Sequence, residues 1–368
     1  MNMLHTFGSS FCFLAVFFLC GCSSKEPPGN RVAAKSPETG KSSKKDQTPG
    51  VHDVRDLTRE SQGLSSVTIS ADGQRVAAGG INGEITLWNL DKRDDKTVLR
   101  GHKLPVTSVS FSPDRRLLLS ASNSTVRLWS LESNKQLRTI GKHTAPIRAV
   151  FMPDGKRVLV TSGDPSPVDK SVPADPIQVN LFDVETGKSL KEFGRHPLPV
   201  KDISLSKDGR LLATATGWAY LWDVESGTLK ATFKYPVVIE SVALSPDGKH
   251  LLTGNYRGIV TLRNLETGTA EDFPEIHTKK ATGQHFEQVT SVAFSNDGKW
   301  GAASGWSQRV CIFPISDDSS LFHYWDFESW VTGVAFNPVS EHVYASLWMH
   351  DSGRVVEIIR PSRKGKKR

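Results

Sequence analysis

One short phrase, written seven times, constrains this chain more than any other feature. An apolar strand runs into a tight turn in Ser66-Val67-Thr68-Ile69-Ser70-Ala71-Asp72-Gly73, and again in Ser108-Val109-Ser110-Phe111-Ser112-Pro113-Asp114. The other copies begin at Ala149, Asp202, Ser241, Ser291 and Gly333. Apolar residues alternate within each copy as a half-buried strand requires, and Asp-Gly or Pro-Asp-Gly supplies the turn. The turn positions are Asp72, Asp114, Asp154, Asp208, Asp247, Asp297 and Val339, spaced 42, 40, 54, 39, 50 and 42 residues apart. A unit of that length, repeated that often, must bury its apolar faces against its own copies.

Two more strands follow each turn, such as Leu117-Leu118-Leu119-Ser120-Ala121-Ser122 and then Val126-Arg127-Leu128-Trp129. A polar turn comes next, as in Glu185-Thr186-Gly187, Glu225-Ser226-Gly227 and Glu266-Thr267-Gly268, and then a weaker fourth strand. A period near 40–45 residues with four strands per unit resembles the WD-repeat propeller family. Gly101-His102 and Trp222-Asp223 keep that family's signature pairs, while most other copies have lost them, which leaves the hydrogen bonding inside those blades open. The resemblance covers residues 53–360 and implies an all-β chain, a seven-bladed β-propeller of four-stranded blades. Eight blades would need a further unit. The last unit lacks a fourth strand, and Asp53-Val54-Arg55-Asp56-Leu57 can supply it from the N-terminal side, closing the ring and removing an open sheet edge.

The net charge of +7 invites a nucleic-acid partner until its distribution is drawn. Residues 23–52 hold six basic and three acidic side chains, and Arg360, Arg363, Lys364, Lys366, Lys367 and Arg368 make a basic tail. What remains, residues 53–359, is close to neutral, so a nucleic-acid partner is not expected. Three of the four cysteines, Cys12, Cys20 and Cys22, lie near the N-terminus, and only Cys311 falls in the repeat region. That excludes a disulfide framework or a cysteine-pair zinc cluster there.

Residues Phe11 to Cys20 form an apolar run of ten, too short to span a bilayer and suited to a signal peptide. It ends in Leu19-Cys20-Gly21-Cys22, which resembles the bacterial lipobox, although no Lys or Arg precedes the run. The resemblance implies a signal peptide over 1–21, cleavage after Gly21 and acylation of Cys22. The protein would then be held on a membrane outside the cytoplasm, the outer membrane being favoured by Ser23. Residues 22–52, rich in Ser, Lys, Pro and Gly, read as a disordered tether, and 361–368 as a basic tail.

Two insertions produce the long steps in the repeat, one from Gly163 to Pro176 and one from Glu275 to Gln288. In WD-repeat propellers both would map to the face carrying the second-to-third-strand loops. The same face receives Trp218, Tyr256, Trp306 and Trp348 from four consecutive blades, with Trp330 just before a first strand. Together these are the expected partner-binding residues, a partial aromatic rim around the channel mouth suited to a peptide or protein. No phosphate loop, nucleophile elbow or metal-ligand spacing is present, so no catalytic residue, metal or cofactor is expected. The expected role is a monomeric, membrane-anchored scaffold for cell-envelope proteins. Two alternatives stay open: a propeller enzyme working at the channel mouth, and a structural part of an outer-membrane assembly complex. The enzyme would need acidic or metal-binding side chains converging at that mouth, where the sequence offers mainly aromatics.

Overall fold

Each repeat folds as a four-stranded antiparallel sheet, and the computed structural model contains seven of them. The structure describes residues 54–60, 63–92, 95–123, 125–141, 146–162, 178–194, 196–273, 288–315, 322–340, 342–349 and 352–359. The lipobox with Cys22, the tether, most of both insertions and the basic tail lie outside the described residues.

The first strands of blades 1 to 7 are Leu64–Ile69, Val106–Phe111, Pro146–Phe151, Asp202–Leu205, Ile239–Leu244, Val289–Phe294 and Trp330–Phe336. Each touches the next, and the seventh touches the first, so they form the inner wall of a ring. The apolar core is divided among the seams between blades. Ile85, Leu87 and Leu99 of blade 1 pack on Val106, Val109 and Phe111 of blade 2. Leu119, Val126 and Leu128 of blade 2 turn the other way, onto Ala149, Phe151 and Val158 of blade 3. Similar clusters occupy the remaining five seams. The middle strands are therefore buried on both faces, which explains runs such as Leu117–Ser122 that do not alternate.

Chemistry repeats at the turns. The hydroxyls of Ser70, Ser112, Ser206, Ser245 and Ser295 each donate to the carboxylate two residues on, at 2.5 to 2.6 Å. That carboxylate in turn accepts a backbone N–H across the turn. At Asp72 burial works against ionisation. Bonds from Ser70, Arg115 and Gln74 outweigh it and hold the carboxyl at about 2.

The ring closes as expected, with a longer strand. Val54–Glu60 pairs antiparallel with Ser352–Ile358, Val54 opposite Ile358 and Glu60 opposite Gly353, becoming the outer strand of blade 7. Arg354 pairs with Asp56 across this junction. Behind it Glu357 accepts bonds at 2.8 Å from the Tyr344 hydroxyl and the His342 ring, with Arg55 at 3.9 Å.

The hydrogen bonding inside the blades, open from the sequence, differs from blade to blade. In blade 2, His102 Nε2 lies 2.7 Å from the Ser120 hydroxyl, which also accepts Trp129 Nε1–H at 2.8 Å. In blade 4, Trp222 donates to Thr214 at 3.2 Å, while His196 only packs edge-on against Trp222 and Tyr220. Trp88 of blade 1 keeps its indole N–H buried without a partner among the described residues.

Candidate functional site

The first strands run from one face of the ring to the other, so the propeller has a turn face, carrying the Asp-Gly turns, and a loop face. Loops joining second to third strands lie on the loop face, with the segments leading into first strands. All five expected aromatics belong to this loop face. Trp306, Trp330 and Trp348 come together at the seam of blades 6 and 7. The Trp306 and Trp330 rings stack at 5.8 Å and 27°, and Trp330 meets Trp348 edge-on at 5.2 Å. Trp330 and Trp348 are register partners on neighbouring strands, so the sheet itself sets their contact. Gly63, leading into blade 1, lies against the far side, where a Cβ would stand 1.8 Å from Trp348 Cδ1.

Trp218 belongs to a second patch, at blades 4 and 5. It is 38% exposed, with the Lys234 ammonium 5.0 Å from its ring centroid. Leu198, 49% exposed, packs beside Gly217, whose carbonyl accepts the Ile239 N–H next to exposed Val238. Tyr256 is half-buried in the next loop, its backbone N–H bonded to the Val238 carbonyl at 3.0 Å. Blade 2 adds exposed Leu104 on the same face. Leu104, Leu198 and Val238 were not among the expected residues. A signal existed: Leu104-Pro105-Val106 and Leu198-Pro199-Val200 are the same tripeptide leading into two first strands.

The channel is more polar than the sequence implied. In blades 1, 2, 5, 6 and 7 the first strand carries a register shift at one residue: Ser65, Thr107, Glu240, Thr290 or Thr332. In blade 3 the shift falls between Pro146 and Ala149 and takes in Arg148. In blade 4 Lys201 stands at this position, its N–H bonded to the carbonyl of Ala215, the partner of Asp202. Bulges of this kind re-aim a side chain. The hydroxyls among them tie blade to blade: Thr290 to the Val331 carbonyl at 2.7 Å, Thr332 to the Leu64 carbonyl at 2.9 Å, and Ser65 to the Val106 carbonyl.

On the side of blades 3 to 5 these positions are charged. Arg148 bridges Asp202 at 3.0 Å and donates to the Thr107 carbonyl at 2.6 Å, while Asp202 accepts the Val242 N–H at 3.1 Å. Burial pushes the Asp202 carboxyl up against the pull of Arg148, and pushes Glu240 up against Lys201 and Arg148. The expectation of a mainly aromatic channel mouth is corrected accordingly: the paired charges of Arg148 and Asp202 line the channel cavity, at positions that look like ordinary exposed strand residues. Among the described residues no group of His, Cys, Asp and Glu could hold a metal ion. Cys311 is fully buried, and burial pushes its thiol up, away from nucleophilic use.

Residues 53–89, 94–130, 187–223 and 277–313 match the family described as WD domain, G-beta repeat. Four segments of the propeller match this repeat. The match at 187–223 starts before the fourth strand of blade 3, Ser189–Phe193, and ends with the third strand of blade 4, Ala219–Asp223. The WD repeat of the sequence is thus offset by one strand from the blade, which is why one strand at the N-terminal end is left to complete blade 7. The chain is similar to a WD repeat-containing protein, SL1-17, of Schistosoma mansoni, 27% identical over 38% of this chain and 44% of that relative. It is also similar to periodic tryptophan protein 2 of Arabidopsis thaliana, 27% identical over 70% of this chain and 20% of the relative. Meiotic fizzy-related protein 2 of Schizosaccharomyces pombe is 28% identical over 45% of this chain and 33% of its own length. The chain thus spans less than half of each of these relatives. WD-repeat propellers generally act as scaffolds for protein partners.

Proposed function

We propose that this WD-repeat propeller is a non-catalytic scaffold of the cell envelope. Acylated Cys22 anchors it to a membrane, and it binds protein or peptide partners through its loop face. The observation that carries the binding role is the cluster of Trp306, Trp330 and Trp348, with the exposed patch of Leu198, Trp218 and Val238 on the same face. Apolar side chains gathered on one face, rather than scattered singly, are what an interface core is made from. Val54 and Ile358 end their strands at the opposite, turn face. A tether leaving Val54 therefore starts from the far side of the ring and leaves the loop face open to partners.

Crosslinking in the native membrane followed by mass spectrometry tests the binding role. Trp306→Ala with Trp330→Ala in one chain should remove the crosslinked partners while the propeller stays folded; an unchanged set of partners would discard the role of that cluster. Fatty-acid labelling that persists in Cys22→Ala would overturn the anchor.

A further inference from the structure

We propose that the patch of Leu198, Trp218 and Val238 at blades 4 and 5 docks an acidic peptide segment of a partner protein, one that carries an apolar side chain flanked by carboxylates. The inference rests on the scaffold reading above and narrows the kind of partner it takes.

Among the described residues, eight large apolar side chains stay exposed. Leu137, Leu190 and Leu229 stand on the outer strands of separate blades, Val339 on a turn, and Leu104 in the approach to blade 2. Single exposed residues of that kind need no partner. The other three meet. Leu198 Cδ1 stands 3.0 Å from the place a Gly217 Cβ would take, and Trp218 follows in the chain. The Gly217 carbonyl accepts the Ile239 N–H at 3.0 Å, which fixes Val238 beside it. The Val238 carbonyl accepts the Tyr256 N–H at 3.0 Å and so brings in the next loop. These segments are pinned to one another before any partner arrives, so little ordering entropy is left to lose on binding.

The exposed charges bordering this patch are cationic. Lys234 holds its ammonium 5.0 Å from the Trp218 ring centroid, and Arg257 follows Tyr256 at the Val238 end. Both are exposed, and among the described residues neither makes an ion pair. Glu240, two residues past Val238, is only partly exposed, and burial pushes its carboxyl up. Carboxylates laid along the patch would pair with the two cations while Trp218 and Leu198 receive the apolar side chain between them. A wholly apolar segment would leave both cations unanswered, and a basic one would be repelled. A peptide fits better than an anionic bilayer. The same face carries exposed Asp326 and Glu328 ahead of blade 7, which a flat lipid surface would meet and a peptide confined to blades 4 and 5 would not. Blade 2 supplies an internal control. Its Leu104-Pro105-Val106 repeats Leu198-Pro199-Val200, but its second-to-third-strand loop, Asn123-Ser124, holds no aromatic ring.

Fluorescence anisotropy on the full chain in detergent tests the site, with capped synthetic peptides as probes. Each carries one Leu and one Phe, flanked by Asp and Glu, by Asn and Gln, or by Lys. Acidic flanks should bind roughly three- to tenfold more tightly than amide flanks at low salt, and the preference should fade at high salt. Leu198→Ser with Val238→Ser should abolish binding, and Leu104→Ser should leave it unchanged. Lys234→Glu with Arg257→Glu should turn the preference over to Lys flanks, a gain that unfolding cannot imitate. Absence of acidic-peptide binding, equal binding of acidic and amide flanks, a preference unmoved by the charge reversal, or an equal loss in Leu104→Ser would each overturn the proposal. So would phosphatidylglycerol vesicles that displace the acidic peptide, since they would assign the patch to lipid. The scaffold reading fails separately. A propeller that captures its native partners but no acidic peptide would sink this assignment alone, and one that binds the peptide but crosslinks to nothing would sink the envelope role alone.

Discussion

His102 and His196 stand at equivalent places, four residues before the first core residue of their blades, yet they are held very differently. Both ring nitrogens of His102 have partners, Thr125 at 3.1 Å and Ser120 at 2.7 Å, whereas neither nitrogen of His196 has one among the described residues. Burial lowers both to about 4, with the Arg127 charge adding to it at His102. The unfolded chain takes up these protons near pH 6.5, the folded chain only near 4. Stability from keeping the rings neutral is thus complete above pH 6.5 and lost as pH falls from there to 4. At full extent that is about 3 kcal/mol for each ring. Denaturant titrations from pH 8 to pH 4 should show this decline. His196→Phe should flatten it and raise stability at pH 5, because it removes two unpaired polar atoms. His102→Phe should lower stability at pH 7 by about 1–2 kcal/mol, because it strips a partner from Ser120. A parallel response of the two variants would contradict the difference in their bonding. Gly305 sets a purely steric case beside these. A Cβ there would stand 2.2 Å from the Gln288 carbonyl oxygen, which is backbone and cannot swing aside. Gly305→Ala should cost roughly 1–3 kcal/mol in thermal unfolding, and shift Trp306, whose N–H bonds that same carbonyl.

Among the elements, the N-terminal strand carries a load out of proportion to its seven residues. It covers the last sheet edge, and it places Arg55 and Asp56 on Glu357 and Arg354. Removing residues up to 60 should leave an open edge on blade 7 and yield oligomers in light scattering, where the full chain stays monodisperse. Glu357 adds a pH dependence of its own. Burial opposes its ionisation, but bonds from His342 and Tyr344 prevail and its carboxyl is held below the usual range. Its stabilising contribution is present above about pH 4.5 and lost as pH falls through the lowered value; Glu357→Gln should therefore weaken closure at pH 7 and narrow the difference from the native chain at pH 3.5. This strand was legible in the sequence because strands can be counted, and the seventh unit came up one short. The bulge ring was not legible. A bulge lies in the pairing of two strands, so Thr107 and Glu240 look in sequence like any alternating polar residue, and Lys201-Asp202 like a solvated start of strand. The contact of Trp330 with Trp348 was hidden for the same reason: it follows from register, while the loop positions of Trp218, Tyr256 and Trp306 follow from repeat alignment alone.

At the scale of the molecule, the two ends of the described ring are neighbours, Val54 facing Ile358 on adjacent strands. A circular permutant that joins residue 359 to residue 54 by a short linker and opens the chain at the Asp154-Gly155 turn should fold and melt at least as high as the parent. A permutant that fails to fold would contradict the closure. The same geometry fixes how the propeller answers a pull. Ladder bonds in an antiparallel pair lie across the strands. A force drawn on Val54 away from the turn face, and resisted by something gripped on the loop face, runs along the strand axis. The bonds from Val54 to Glu60 then share that force together, in shear, instead of parting one after another like a zip. The strand that completes the ring is thus loaded in shear by such a pull.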